Sequence, residues 1–191
     1  MGGGRLRTMS APERKQGQGQ GQGREGEGEG ASAPGRTDAP ERVRLREVVP
    51  ADLEVFFAQE HDPEAARRSR FPPREREAFM RHWTTRVLAG PDVLVRAITV
   101  DGEVAGNLVA WTDGDRRWLG YWLGRAFWGR GVGTRALALF LEQETTRPLY
   151  ADPHEENTGS VRLLEKHGFR RAGTVRHDTD SHLLLVLGAA S

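Results

Sequence analysis

The chain has 191 residues, a formal net charge of +1 and no cysteine. The balanced charge supplies no field that would attract nucleic acid or an anionic membrane, and the lack of cysteine excludes disulfides, cysteine zinc sites and thiol nucleophiles. No apolar run approaches the roughly 20 residues that span a bilayer, and the N-terminus lacks the apolar core of a secretory signal. We therefore expect one cytoplasmic domain with no nucleic-acid or membrane partner.

The first 41 residues differ in kind from the rest of the chain. Residues 16–40 are rich in Gly, Gln and Glu and contain no aliphatic side chain larger than alanine. Such a segment cannot bury enough apolar surface to offset the roughly 1–2 kcal/mol per residue that backbone ordering costs. The sequence therefore predicts a disordered tail over 1–41 and a folded domain over 42–188, with Met9 as an alternative start of translation.

The folded part begins with a predicted strand and two predicted helices. Val43 and Leu45 alternate with arginines, which is typical of a strand. Pro50 suits the first turn of a helix that runs to about Gln59, and a loop that contains Pro63 follows. A second helix is indicated by apolar residues at helical spacing, namely Phe79, Trp83, Val87 and Leu88.

The middle of the chain changes to strands and then alternates. Three antiparallel strands are predicted in a row, the first two joined by an Asp101-Gly102 hairpin turn. A helix from about Gly131 to Thr145, a short strand, a second helix and two closing strands follow. This order favours an α/β fold with a mixed, largely antiparallel central sheet of about seven strands and about four helices.

The segment 127–144 places glycines at alternate positions just before an apolar helix, which is typical of backbone N–H groups presented to an anion. A phosphate-binding loop has this glycine spacing, but Arg130 and Gly131 stand where lysine and Ser/Thr would hold phosphate and Mg²⁺. A G-x-G-x-x-A match starts at Gly131, and Asp152 follows about 20 residues later, as the ribose-binding acid does in a dinucleotide site. The predicted strands before this match are antiparallel, however, whereas that fingerprint opens a parallel sheet. A purely structural tight turn and the pyrophosphate of coenzyme A are the other interpretations.

Two stretches carry a resemblance to a known family. ENTGSVRLLEKHGF, residues 156–169, resembles the second signature of the GNAT superfamily of acyl-CoA-dependent N-acyltransferases, an N-x-x-S-x-x-x-x-x-K-x-G-F pattern. The stretch from Trp128 to Gly133 resembles the first signature, [QR]-x-x-G-x-[GA], with Trp128 as the departure. That departure is similar to the branch of the ribosomal-protein N-terminal acetyltransferases (the Rim type) and related bacterial acetyltransferases. The likeness spans about 43–187.

The resemblance implies a co-substrate and the residues that hold it. It implies acetyl-CoA, with no metal, and a fourth strand that splays from the fifth to admit the pantetheine arm. Backbone amides of the glycine segment would hold the pyrophosphate. The implied cofactor-binding residues are Leu123, Gly124, Gly129, Arg130, Gly131, Val132, Gly133, Thr134, Asn157 and Ser160.

The resemblance specifies the acid and the base of the reaction less completely than the cofactor-binding residues. Leu164 occupies the position where many members of the superfamily carry a tyrosine acid, and it can donate no proton. Ser160 lies one helical turn earlier on the same face, and in the resembling branch a serine there can serve as the acid. His154 is a candidate base, because histidine titrates near neutrality. Glu155, Glu156, Glu60, His61 and a water chain are alternatives.

These observations lead to three functional hypotheses. The first is an N-acetyltransferase that moves an acetyl group from acetyl-CoA to a primary amine of a protein N-terminus or a small molecule. The second is a non-catalytic acyl-CoA-binding module of the same fold, which the absence of the tyrosine favours. The third is a nucleotide-dependent oxidoreductase, which the G-x-G-x-x-A match favours. The sequence does not distinguish a monomer from a homodimer.

Overall fold

The structure, a computed structural model, describes residues 41–177 and 180–188. Seven strands form one sheet: β1 (Val43–Arg46), β2 (Leu94–Val100), β3 (Glu103–Asp113), β4 (Arg116–Leu123), β5 (Leu149–Ala151), β6 (Arg170–His177) and β7 (Asp180–Leu187). Their order is β1-β2-β3-β4-β5-β7-β6, and every neighbouring pair is antiparallel except β4 and β5. The predicted fold class is confirmed. The predicted tail, apart from Glu41, lies outside the described residues.

In the described part of the chain, five α-helices accompany the sheet: α1 (Asp52–Glu60), α2 (Pro63–Ser69), α3 (Arg76–His82), α4 (Val132–Gln143) and α5 (Thr158–Lys166). The region of α2, predicted as a loop, is helical. Asp62 caps this helix, since its carboxylate accepts the backbone N–H groups of Glu64 and Ala65 at 3.0 Å each, and Pro63 fits the first turn. None of the helices in these two described ranges is long and apolar enough to cross a membrane.

The alternation of side chains along the strands creates two cores. One face of the sheet packs against α4 and α5, and its buried residues include Leu108, Leu119 and Phe140. The other face packs against α1, α3 and the π-helical turn that extends α3, with Phe56 and Trp83 at its centre. The sheet is therefore the middle of three layers, covered on both faces as a largely apolar strand pattern requires.

The sheet opens between β4 and β5. The two parallel strands pair only at Arg117 with Leu149 and at Trp118 with Tyr150. β4 continues to Leu123, whereas β5 ends at Ala151, so the strands separate towards their C-terminal ends. The splay implied by the family resemblance is present, and it lies between the glycine segment after β4 and the start of α5.

An ion pair ties the first strand to the first helix on the other face of the sheet. Arg46 at the end of β1 donates two hydrogen bonds to the carboxylate of Asp52, at 2.6 and 2.8 Å, and the backbone N–H of Val49 donates a third at 2.9 Å. Asp52 is only 3% exposed. The hydrogen bonds from Arg46, the largest cause, lower the pKa of Asp52, so the ionised carboxylate is the form that the fold stabilises.

We predict that Asp52→Asn lowers the free energy of unfolding at neutral pH by about 1.5–3 kcal/mol, the usual size of a charged hydrogen-bond contribution. A carboxylate whose pKa is lowered by folding stabilises the fold above its unfolded pKa, and this contribution is lost as the pH falls through the folded value. The difference between the wild type and Asp52→Asn should therefore shrink in acid. Urea unfolding at pH 7 and at about pH 3 measures this difference.

The exposed Glu47→Gln is the control, with an expected change in the free energy of unfolding within about 0.5 kcal/mol. An equal loss in both variants would contradict the prediction.

Candidate functional site

A cleft of about 300 Å³ lies where β4, the glycine segment and α5 meet. Six of the residues predicted for the cofactor line it: Leu123, Gly129, Gly131, Val132, Gly133 and Thr134. Gly124, Arg130, Asn157 and Ser160 do not line the cleft itself. The glycine segment and the N-terminus of α4 thus face the same space as α5, although the first residue of α5 lies 24 positions after Thr134 along the chain.

The glycines of the segment allow the backbone to approach the cleft. Gly131 precedes α4 with φ of +73°, in the left-handed region that favours glycine. A Cβ on Gly133 would lie 3.2 Å from a methyl group of Leu163 on α5. The first-turn N–H groups of a helix have no acceptor within that helix and carry partial positive charge. The arrangement can therefore hold an anionic group close to the backbone.

The side chain of Arg130 is engaged by a partner outside the glycine segment. Its Nη2 lies 2.6 Å and its Nε 3.0 Å from Oε1 of Glu41, which precedes β1, and its Nη1 donates to the carbonyl of Ala126 at 2.9 Å. The guanidinium also lies over the ring of Phe127. These contacts anchor the glycine segment to the start of the domain, a role that the sequence analysis did not assign to Arg130.

Two basic residues of α5 line the cleft and were not selected from the sequence. Arg162 and Lys166 lie four positions apart, so they project from the same helix face, and both are exposed. The signal in the sequence was this spacing within the second signature, where Lys166 is a motif residue. Together with the glycine segment they make the cleft suited to a large anion.

Ser160 makes a contact across the splay that no local pattern indicates. Its Oγ lies 2.7 Å from the hydroxyl oxygen of Tyr121 on β4, and both residues are buried. Asn157 caps α5, because its side-chain oxygen accepts the backbone N–H of Ser160 at 3.3 Å. Leu164 is fully buried in the core. Tyr121 was not selected from the sequence, and only the structure joins it to Ser160.

His154 lies in the segment between β5 and α5, away from the glycine cleft. It is 6% exposed, and its ring meets that of His182 edge to face at 5.3 Å. Its Nδ1 accepts the backbone N–H of Glu156 at 3.2 Å. Glu155 is exposed, and Glu156 forms an ion pair with Arg70 at 3.0 Å. The three candidate bases of this segment therefore lie in different environments: His154 is buried, Glu155 is exposed and Glu156 is paired with an arginine.

An aromatic pocket lies on the opposite face of β4, between the sheet and the helices α1 and α3. It encloses about 40 Å³, and its aromatic walls are Phe56, Phe79, Trp83, Trp111, Tyr121 and Trp122. Trp118, on β4, does not line the pocket and packs against Tyr150 at 5.6 Å. His61 is exposed beyond the end of α1, with its Nδ1 2.9 Å from the carbonyl of Phe57.

The side chains of Glu60, Arg74 and His82 also line the aromatic pocket. Burial, the largest cause, raises the pKa of Glu60, although Arg74 opposes this with a backbone hydrogen bond at 2.8 Å and an ion pair at 3.0 Å. Burial also lowers the pKa of His82 to about 4, and the charges of Arg74 and Arg86 add to that effect. The pocket therefore combines an apolar wall with a carboxyl group of raised proton affinity, a combination suited to a cationic or amine ligand.

Comparisons with known proteins agree with this arrangement. A family model described as the acetyltransferase (GNAT) domain matches residues 42–170. No curated protein sequence matches the chain. The G-x-G-x-x-A match has no support in the fold, because β4 and β5 are the one parallel pair among the described strands and a dinucleotide site needs a parallel sheet.

Several solved structures share the fold. An aminoglycoside acetyltransferase, AAC(6')-Ib, in complex with coenzyme A has a TM-score of 0.64 and 22% identity, over 77% of this chain and 95% of that one. A domain from Methanocaldococcus jannaschii has a TM-score of 0.65 and 19% identity, over 77% and 99%. A GNAT-family acetyltransferase from Bacillus anthracis has a TM-score of 0.63 and 16% identity, over 78% and 96%. At these identities the likeness is one of fold.

We predict that the imidazole of His82 stays neutral until about pH 4 in the folded protein. Its folded pKa lies below the ordinary value of about 6.5, so protonation favours the unfolded state. The stability that the neutral ring provides is present above about pH 6.5 and is lost as the pH falls towards 4. NMR titration of the ring measures the midpoint, with His82→Asn to assign the signal and the urea-unfolded chain as reference. A folded-state pKa at or above about 6 would contradict the prediction, because it would show that water solvates the ring in the folded protein.

Proposed function

Because the chain belongs to the GNAT acetyltransferase family, we propose that it transfers an acetyl group from acetyl-CoA to a primary amine. One observation carries the proposal. A glycine-lined cleft that suits an anion lies on one side of the gap between β4 and β5. Within the gap, the hydroxyl groups of Ser160 and Tyr121 form a buried pair. Solved structures of the same fold contain coenzyme A or acetyl-CoA, which supports the same co-substrate here.

The residues of the cleft fit the pyrophosphate of acetyl-CoA. Backbone N–H groups from Gly131 to Thr134 lie at the N-terminus of α4, where negative charge is favoured. Arg162 and Lys166 add positive charge on the facing helix. Leu123 at the end of β4 offers an apolar wall. Neither a lysine of the phosphate-loop type nor a magnesium ligand is needed for this mode of binding.

The reaction needs one proton to be accepted and one to be given. When bound, acetyl-CoA supplies an acetyl thioester: the amine nitrogen bonds to the acetyl carbon, the C–S bond breaks, and the sulfur leaves as a thiolate that needs a proton. We assign that proton to the hydroxyl of Ser160. Tyr121, 2.7 Å away, can pass its own proton to the serine oxygen, and bulk water restores the tyrosine. This pair substitutes for the tyrosine that Leu164 replaces.

The acceptor amine must arrive uncharged, so a base near its entry is needed. Glu60 is the candidate that the structure favours, because burial raises its pKa and it faces the aromatic pocket. His154 remains a second candidate, since its buried ring lies just beyond the end of β5. The acceptor is the amine of a protein N-terminus or of a small molecule. Solved relatives in fold with aminoglycosides bound, such as kanamycin, support the small-molecule alternative.

A second candidate function is a non-catalytic acyl-CoA-binding module. The buried Leu164 favours it, because the position where many relatives carry a proton donor is filled by an apolar side chain that packs in the core. The two functions share the cleft and differ in turnover.

Three further points stay predictions. They are the placement of the acetyltransferase domain at 42–188, the likeness to the N-terminal acetyltransferase branch and a cytoplasmic location.

We predict that acetyl-CoA raises the unfolding temperature of the wild type and that Gly133→Val removes most of this effect. The new side chain would meet a flexible methyl of Leu163 and fill the cleft, so binding should weaken by at least about 10-fold with little change in the ligand-free protein. Gly188→Val is the matched control, because a Cβ added there would have no contact within 4 Å outside the adjacent residues. NADH and ATP are tested in parallel. Stabilisation by NADH and not by acetyl-CoA would overturn the proposed function.

We predict that Ser160→Ala and Tyr121→Phe each lower kcat by roughly 10²–10⁴-fold, the usual contribution of an acid, while the affinity for acetyl-CoA changes little. Thiol release against a panel of amines, including kanamycin and peptide N-termini, measures kcat. The double variant should lose little more than either single variant, because the two hydroxyls act as a unit. Tyr150→Phe is the matched control.

Two outcomes would count against these assignments. Wild-type turnover in Ser160→Ala would remove the serine from the mechanism. Acetyl-CoA binding without thiol release on any amine of the panel would favour the non-catalytic module.

A further inference from the structure

Three strands bring a carboxylate and two imidazoles together at the end of the sheet away from β1. Asp152 follows β5, His177 ends β6, and His182 lies in β7. One ligand atom from each of the three lies within 4.8 Å of the other two. All three side chains are largely buried, with 6% exposure for Asp152 and His182 and 11% for the side chain of His177. We propose that this cluster, defined here as the Asp152–His177–His182 site, binds a divalent transition-metal ion of the zinc class.

The types of ligand atom select this class of metal. Two imidazole nitrogens and one carboxylate oxygen form a common donor set for zinc and other first-row transition ions, with water in the remaining position. Calcium and magnesium prefer oxygen ligands and would gain little from the two histidines. The chain has no cysteine, so a zinc site in it has to be built from histidine and carboxylate.

The hydrogen bonds around the cluster prepare its atoms for a metal. Nδ1 of His182 lies 2.8 Å from the backbone carbonyl of Asp152. A carbonyl only accepts, so this nitrogen carries the proton and Nε2 of the neutral ring presents a lone pair. A histidine that ligates a metal usually donates its other N–H in this way. His154 packs edge-on against His182 and is itself 6% exposed, which restricts water on that side.

The distances require only small side-chain movements. Nε2 of His177 lies 2.5 Å from the Asp152 carboxylate. Around a tetrahedral zinc ion with bonds of about 2.0–2.1 Å, ligand atoms lie about 3.3 Å apart. The aspartate–histidine contact would widen and His182 would move inward. For Nε2 of His177 to bind the metal, the hydrogen that it places against the Asp152 carboxylate has to leave that nitrogen.

A metal in this place would join the end of β5 to β6 and β7, which lie about 20 or more residues later in the chain. It would fix one wall of the gap beside β4 against the antiparallel pair of β6 and β7. The site is separate from the proposed acetyl transfer, because none of its three residues takes part in that reaction. Metal binding and turnover can therefore succeed or fail independently.

The test uses the full chain without a polyhistidine tag, stripped with a chelator and dialysed. Isothermal titration with ZnCl₂ should show one equivalent bound per chain, with an affinity for Zn²⁺ at least about 100-fold above that for Mg²⁺. Thermal unfolding followed by circular dichroism should shift upward with Zn²⁺. Asp152→Asn, His177→Gln and His182→Asn should each weaken Zn²⁺ binding by at least about 10–100-fold. His61→Gln, at an exposed histidine elsewhere, should bind as the wild type does.

A second measurement keeps the test decisive if a variant does not fold. Co²⁺ added to the wild type should give the strong visible absorption of a four-coordinate site, and Zn²⁺ should abolish it. Failure of the wild type to bind one equivalent of Zn²⁺, or a weak octahedral Co²⁺ spectrum with no thermal shift, would overturn the proposal. Equal binding by His177→Gln and the wild type, with loss in His61→Gln, would also overturn it by locating the metal elsewhere.

Discussion

The parallel pairing of β4 with β5 ends after two residue pairs, and the rest of the site depends on the gap that this leaves. β4 runs on to Leu123 while β5 stops at Ala151, so the strands part in the middle of the sheet. Backbone N–H and C=O groups along such a gap need other partners or a ligand. Because the antiparallel strands on either side remain paired, the opening gives access to the interior without a loss of the sheet. The glycine segment and the start of α5 are placed at its two sides by the strands that lead into them.

Polar pairs hold both ends of the gap. At the closed end, Arg117 donates to Glu144, beyond α4, at 2.6 and 3.0 Å, and this carboxylate is 3% exposed. A buried ion pair of this kind adds little net stability but is costly to break, so it specifies how α4 sits against β4. At the open end, Tyr121 and Ser160 join β4 to α5. The same arrangement that supports the fold therefore places a proton donor inside the gap.

Patterns of neighbouring residues predicted most of the fold. Period-two alternation located the strands, and the Asp101-Gly102 turn is confirmed by φ values of +50° and +94°, which a tight hairpin requires. The family was predicted from two short motifs, since glycines before a helix and an Asn-capped helix are local features with a direct physical meaning. The helix α2 was missed, because Pro63 was taken as a loop residue without its capping partner Asp62.

The sequence by itself determined the strands and helices, the family and the glycine-lined cleft, because each depends on residues close together in the chain. Only the tertiary structure decided which distant side chains meet. Tyr121 and Ser160 are 39 positions apart, and Asp152 and His182 are 30 apart. No periodicity links residues at such separations, since their meeting depends on strand order and register. The proposed acid of the reaction and the proposed metal ligands belong to this second group, whereas the glycine segment belongs to the first.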